Sequence, residues 1–126
     1  MRKPVLIGAV VAALAGVSGA LAGPWEDGMV AYNRGDYLPA IRLFRPLAEQ
    51  GNPKAQSMIG AMYAKGKGVA RSSAHAFMWF SLAAARGDAK AKGELREMSG
   101  EMAPAEIARA KAMMQACEAA NYRNCE

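Results

Sequence analysis

Few residues in this sequence could do chemistry. The single histidine, His75, and two cysteines, Cys117 and Cys125, are the candidate nucleophiles, bases and metal-binding groups. A reactive group needs a positioned partner, but His75 lies far along the chain from both cysteines. The cysteine spacing also matches none of the common zinc or redox patterns. The sequence therefore predicts no catalytic residue, no metal site and no cofactor, and it places His75 as a partly exposed residue on a helix.

The acidic residues and a glycine-rich turn give no stronger chemical signal. Glu94, Glu97 and Glu101 follow helical spacing among basic residues, a pattern typical of a solvated helix face. The turn at residues 66–68 lacks the spacing of a phosphate-binding loop. The formal net charge of +5 is mild and the basic residues form no dense run, so nucleic acid is not the expected partner. We therefore expect these residues to lie on the solvent-exposed surface and to form no reaction centre.

The first residues have the order of a secretory signal peptide. Arg2 and Lys3 precede an unbroken apolar run at residues 5–17, and Ala20 and Ala22 offer small side chains for a signal peptidase. We predict that residues 1–22 are a signal peptide, cleaved after Ala22, and that the protein is periplasmic or secreted without stable membrane insertion. About twenty apolar residues can span a bilayer, so an uncleaved membrane anchor is the alternative.

The remaining residues, 23–126, are enough for one domain with a modest core. Cys117 and Cys125 both fall near its end, and cysteines of exported proteins commonly form disulfides. We predict that these two residues are joined, so that the bond pins a C-terminal tail that would otherwise fray. A reactive thiol or a metal site at the cysteines is the alternative.

The chain contains an internal repeat. Residues 31–35 resemble residues 62–66, each with a tyrosine followed by two residues and a glycine. Residues 51–55 resemble residues 87–91 at a spacing of 36. The tyrosines are offset by 31, so the second copy carries five additional residues in its turn, around residues 66–69. Helical repeats tolerate insertions at such turns.

Each copy has the pattern of two antiparallel helices. Asn52 and Pro53 provide an N-cap and a first helical residue, and Gly66 and Gly68 provide the end of that helix. An apolar face at helical spacing lies between them, formed by Ala55, Met58, Ile59 and Met62. Further helices are expected to begin near Ser72 or Ser73, Asp88 and Pro104. No stretch alternates with period two, so no strand is expected.

These residues resemble the Sel-one-like repeat family, short helix-pair relatives of the tetratricopeptide repeat, and more specifically an exported bacterial member. The second copy carries the resemblance through Ala55, Ile59, Gly60, Met62, Tyr63, Gly66, Gly68, Val69, Ala76, Trp79, Ala83, Ala84, Gly87 and Ala91. The first copy does so through Ala31, Tyr32, Gly35, Asp36, Tyr37, Ala40 and Leu47.

The resemblance implies an all-α fold, a short α-solenoid of antiparallel helix pairs with a C-terminal capping helix. Repeat one is expected at about residues 26–51 and repeat two at about residues 52–87. A third partial unit and the cap would occupy residues 88–126. Arrays of this kind usually hold a partner on the concave face formed by the first helix of each pair.

We therefore expect a non-catalytic protein that binds a protein or peptide on that face. The candidate contact residues are Asn33, Arg34, Gln56, Ser57 and Lys65. One alternative is a weak cell-wall or β-lactam hydrolase, because a cysteine-rich branch of the same repeats has been linked to penicillin binding. The per-repeat cysteine pairs of that branch do not occur in this sequence. A structural role in a larger envelope complex is a third possibility.

Overall fold

The computed structural model describes residues 22–126, so the predicted signal peptide lies outside the described residues apart from Ala22. Within residues 22–126 the chain forms six helices and no strand. They are α1 (Pro24–Asn33), α2 (Tyr37–Glu49), α3 (Pro53–Lys65), α4 (Ser73–Ala85), α5 (Ala89–Glu101) and α6 (Pro104–Ala119). The predicted all-α fold class is confirmed.

The first four helices pack as two consecutive hairpins. Helix α1 packs against α2, and α3 packs against α4, with α2 against α3 joining the two pairs. Helices α5 and α6 both pack against α4. The central position of α3 and α4 explains why the largest fully buried side chains include Trp79, Phe80, Ile59 and Met62. The arrangement is a short helical solenoid.

Side-chain caps begin α3 and α5 at the predicted positions. Asn52 Oδ1 accepts hydrogen bonds from the backbone N–H groups of Lys54 and Ala55, at 3.0 and 3.1 Å. Asp88 Oδ2 accepts one from the backbone N–H of Ala91 at 2.9 Å. Both caps satisfy backbone donors that a helix leaves unpaired at its start. They orient the first residues of α3 and α5, which line the candidate site.

Each hairpin is closed by a phenylalanine packed onto the backbone of a glycine. A Cβ added to Gly28 of α1 would lie 2.6 Å from Phe44 Cε1, and a Cβ on Gly60 of α3 would lie 2.9 Å from Phe80 Cδ1. Real Cβ atoms do not approach so closely, so both rings occupy space that any other residue would fill. The same contact occurs in both pairs, as expected for repeats.

The tyrosines of the two copies also lie in equivalent surroundings. Tyr32, near the end of α1, contacts Tyr37 at the start of α2 with ring centroids 5.3 Å apart. Tyr63, near the end of α3, stacks on His75 in the first turn of α4 with centroids 4.9 Å apart. In each pair the tyrosine therefore joins the end of the first helix to the beginning of the second.

The five-residue insertion of the second copy packs against the first copy. Gly68 has a φ of +77°, and a Cβ there would lie 2.8 Å from the carbonyl oxygen of Tyr37. The Lys67 ammonium lies 5.3 Å from the ring centroid of Tyr32 and 5.1 Å from that of Tyr37, within cation–π range. Hydrogen bonding to these two tyrosines raises the pKa of Lys67 above its usual value of 10.5.

The C-terminal tail folds back over the repeats. Cys117 and Cys125 lie at disulfide-bonding distance, with Cα atoms 5.1 Å apart, which confirms the predicted pair. Arg86 donates a hydrogen bond to the Tyr122 hydroxyl at 2.8 Å and lies over its ring. At the chain end, the side chain of Glu126 forms a salt bridge of 2.7 Å with Arg45 of α2. The tail therefore contacts both repeats.

Candidate functional site

The three first helices, α1, α3 and α5, together line an open pocket of about 150 Å³ at their N-terminal ends. Its lining residues are Trp25, Lys54, Ser57, Met58, Asp88 and Lys90. Trp25 and Met58 are half-buried and are the large apolar side chains of the lining. The Trp25 ring is itself supported by Phe44, with ring centroids 5.2 Å apart. We call this depression the first-helix pocket.

The rim of the first-helix pocket is positively charged. Lys54 and Lys90 are exposed and each is the second residue of its helix, α3 or α5. The N-terminus of a helix adds a partial positive charge of its own. Asp88 is the acidic group of the lining, and its Oδ2 already accepts the backbone N–H of Ala91. In the described part of the chain neither lysine forms a salt bridge, so the ammonium groups are available to an anion.

A buried hydroxyl lies in the wall of this pocket. Ser57 is 6% exposed, and its Oγ has no hydrogen-bond partner among residues 22–126. A helical serine commonly bonds the carbonyl of the preceding turn, as Ser81 Oγ does to Phe77 O at 2.7 Å. Leaving a buried hydroxyl unpaired costs free energy. Ser57 therefore carries a buried, unpaired donor beside the pocket.

Two of the five predicted contact residues are buried. Gln56 is fully buried, and its Nε2 donates a hydrogen bond to the carbonyl oxygen of Ala48 at 3.1 Å. Gln56 therefore offers no surface for a partner to contact, contrary to the prediction, because α3 is packed between α2 and α4 and buries polar positions as well as its apolar stripe. Partner contact by Ser57 remains a prediction. Gln56 joins α3 to the last turn of α2, whereas Ser57 still borders the pocket.

The other three predicted residues are exposed but lie away from the first-helix pocket. Asn33 and Arg34 are at the C-terminal end of α1, and Lys65 is the last residue of α3. Lys65 borders a second depression of about 260 Å³, whose other lining residues are Ala64, Arg71, Ser73, Glu94, Glu97, Met98 and Glu101. The first-helix face therefore has one hollow near each end. Partner contact by Asn33, Arg34 and Lys65 remains a prediction.

His75 belongs to a helix cap. Its Nδ1 lies 2.7 Å from Ser72 Oγ, and the same oxygen accepts the backbone N–H of His75 at 3.2 Å. The ring stacks on Tyr63, which leaves the imidazole half-buried, as predicted. Ser72 is thus engaged at the start of α4, and the pair holds the Tyr63–His75 contact in place.

Two further observations concern residues 22–126 as a whole. No group of three or more His, Cys, Asp or Glu side chains there is arranged to hold a metal ion. None of the helices in this part of the chain has the length and apolar character needed to cross a membrane.

Comparison with known protein families agrees with the repeated hairpins. The family model described as the Sel1 repeat matches residues 28–52 and 53–88. Residues 28–88 belong to the Sel1 repeat family. Sel1 repeats are helical, solenoid-like units that generally mediate protein–protein interaction and are typically non-catalytic. The predicted resemblance to the Sel-one-like repeat family is confirmed.

The sequence did not point to four of the pocket residues, Trp25, Lys54, Met58 and Lys90. Trp25 precedes the matched repeats, and Met58 has the pattern of an ordinary core residue. One signal was present in the sequence: Lys54 and Lys90 each occupy the second position after a cap, Asn52 or Asp88. That repetition places two ammonium groups on neighbouring first helices.

Proposed function

We propose that this Sel1 repeat protein is a non-catalytic adaptor that binds a protein or peptide through the face formed by α1, α3 and α5. The observation that carries the proposal is the first-helix pocket, because residues from all three first helices line it. Sel1 repeats generally mediate protein–protein interaction, and pockets with apolar walls and a few charged groups are typical binding sites.

Site-specific photo-crosslinking tests the face. A photoreactive residue placed at Lys54 or Lys65 samples the two ends of the α3 surface, and one at Arg42 samples an exposed position of the second helix α2. We expect defined crosslinked species from the first two positions and none from Arg42. Equal crosslinking from Arg42, or no defined product from any position, contradicts the proposal.

We further propose that the adaptor acts outside the cytoplasm, as a periplasmic or secreted protein consisting of residues 23–126. The charged N-terminus, the apolar run and the cysteine pair support this. The intact mass of the exported protein is the test. It should correspond to cleavage after Ala22 and to the loss of two hydrogens at Cys117 and Cys125. A mass that retains residues 1–22 would support a membrane anchor.

The proposed lack of catalysis can be tested against the hydrolase alternative. Purified protein is incubated with a chromogenic β-lactam and with peptidoglycan fragments, beside a His75→Ala variant. We expect no turnover above the buffer rate with either protein. Turnover by the natural sequence that the variant loses would establish an enzyme and contradict the proposal.

A further inference from the structure

We propose that the first-helix pocket holds one apolar side chain of an extended partner segment, and that an acidic side chain two residues away along that segment binds between Lys54 and Lys90. The inference rests on the proposed function and specifies the chemistry of the partner. One ligand would occupy the apolar cavity and contact its cationic rim, beside the buried unpaired hydroxyl of Ser57.

The volume of the pocket sets the size of the anchoring group. A cavity of about 150 Å³ accommodates one benzene-sized group, and the first-helix pocket has about this volume. Trp25 and Met58 provide apolar contact on two sides. A leucine, isoleucine, methionine or phenylalanine side chain therefore matches it, whereas a larger cluster of side chains does not.

The charges of Lys54 and Lys90 determine which side chain is expected near the anchoring residue of the partner. Two lysines at helix N-termini attract an anion from two helices at once. They outnumber the one carboxylate of the lining, Asp88, which is already engaged in its cap hydrogen bond. In an extended peptide, side chains at positions i and i+2 point to the same side. An acidic residue two positions from the anchor therefore faces the same rim, whereas one at the adjacent position points away.

The unpaired hydroxyl of Ser57 is a further feature of the pocket wall. Ser57 is more than nine-tenths buried, lines the pocket, and has no partner for its Oγ among the described residues. Its Oγ is itself enclosed, so the Ser57 side chain would have to rotate toward the pocket for a backbone carbonyl of a bound segment to accept its hydrogen bond. Because the pocket is open and the first-helix face continues toward Lys65, the segment can extend in both directions. An internal segment therefore fits better than a chain terminus.

Short synthetic peptides test the proposal directly on the mature, oxidised protein. The probe is an acetylated and amidated nine-residue peptide containing Leu-Ser-Glu between Gly-Ser flanks, and binding is measured by calorimetry and by tryptophan fluorescence. Trp25 is one of two tryptophans, and the other, Trp79, is fully buried. We expect saturable binding with a change in Trp25 emission. Replacing the peptide leucine by serine should weaken binding about ten- to hundredfold.

Substitutions in the protein test the same contacts as the changes in the peptide. Lys54→Glu and Lys90→Glu should each weaken binding several-fold and reduce its salt dependence. Glutamate near a helix N-terminus is favourable, so folding is retained. Lys111→Glu, on an exposed position of α6 outside the pocket, is the matched control and should bind normally. Ser57→Ala should raise the thermal midpoint while weakening binding, a combination that a purely structural serine would not give.

The remaining outcomes separate this inference from the proposed function. If no peptide binds but crosslinking still maps a partner to the first-helix face, the pocket chemistry is wrong and the adaptor proposal stands. Tighter binding of a peptide ending in a free leucine carboxylate overturns the internal segment in favour of a chain terminus. Self-association that Met58→Lys abolishes would assign the pocket to a second copy and also overturn the inference.

Discussion

At the residue scale, two glycines determine how closely the helices of each pair approach. Gly28 and Gly60 lie under the rings of Phe44 and Phe80, with no space for a β-carbon. Interiors packed at crystal-like density respond to one additional methyl group with strain. By contrast, Gly93 of α5 has no atom within 4 Å of an added Cβ. The two kinds of helical glycine therefore predict opposite responses to alanine.

We expect Gly60→Ala to lower the free energy of unfolding by about 1–3 kcal/mol, because Phe80 must move from a fully packed position. Gly93→Ala is the matched control and should raise it by up to about 1 kcal/mol, since alanine is the better helix former. Urea denaturation of both variants measures the difference. Equal effects of the two substitutions would show that the contact of the Phe80 ring with Gly60 does not determine the response to alanine.

Lys67 gives a second prediction at this scale. Its pKa is raised above 10.5 in the folded protein by hydrogen bonds to Tyr32 and Tyr37. A group with a raised folded pKa contributes stability that is complete below its unfolded pKa and is lost as the pH rises through the folded value. We expect Lys67→Met to lower the thermal midpoint by a constant amount from pH 7 to pH 9, and by less above about pH 10.5. Lys111→Met, at an exposed position of α6, is measured beside it as the control.

At the scale of single elements, the helix caps differ in quality. The side chain of Asn52 accepts two backbone hydrogen bonds at the start of α3. Asp36 precedes α2 in the same position but its side chain accepts none. The turn before α2 is instead held by backbone hydrogen bonds, including Asp36 N–H to the carbonyl of Ala31 at 2.9 Å. The two residues thus look alike in sequence and differ in their contribution.

Removing the side chain of each cap should therefore have unequal effects. Asn52→Ala should destabilise the protein by about 1 kcal/mol, because Lys54 and Ala55 lose their acceptor. Asp36→Ala should stay within about 0.5 kcal/mol of the natural sequence, as for an ordinary surface position. Thermal unfolding followed by circular dichroism distinguishes them. A larger loss from Asp36→Ala would contradict the assignment of the caps.

At the scale of the whole molecule, the C-terminal tail connects parts of the solenoid that are distant in sequence. Arg86, in the turn between α4 and α5, lies against Gly51 in the turn between α2 and α3 and bonds Tyr122 of the tail. The Arg45–Glu126 salt bridge adds a contact to α2, but it is partly exposed and worth little by itself. The cysteine pair is therefore the main restraint on the tail.

Loss of that restraint should be measurable. Closing a loop as short as residues 117–125 contributes about 2–3 kcal/mol in the chain-entropy account. We expect the double variant Cys117→Ser, Cys125→Ser to lose stability of that order in urea denaturation, and reduction of the natural protein to have the same effect. Adding reductant to the double variant is the control and should change nothing.

The sequence by itself determined the local features of this protein. The caps at Asn52 and Asp88, the repeated glycine and tyrosine positions and the apolar faces predicted the helix pairs, because capping and periodicity depend on residues close in sequence. The cysteine pair was predictable for the same reason, since the two residues lie close together in one short tail.

The tertiary structure alone decided which side chains the solenoid buries and which it brings together. Gln56 and Ser57 look like surface residues in the sequence, and the packing of α3 between two helices buries them. Trp25, Met58 and Lys90 meet in one pocket although they come from three helices. Contacts between elements depend on helix rotation and crossing, which neighbouring residues do not encode, so the candidate site emerged from packing and not from a motif.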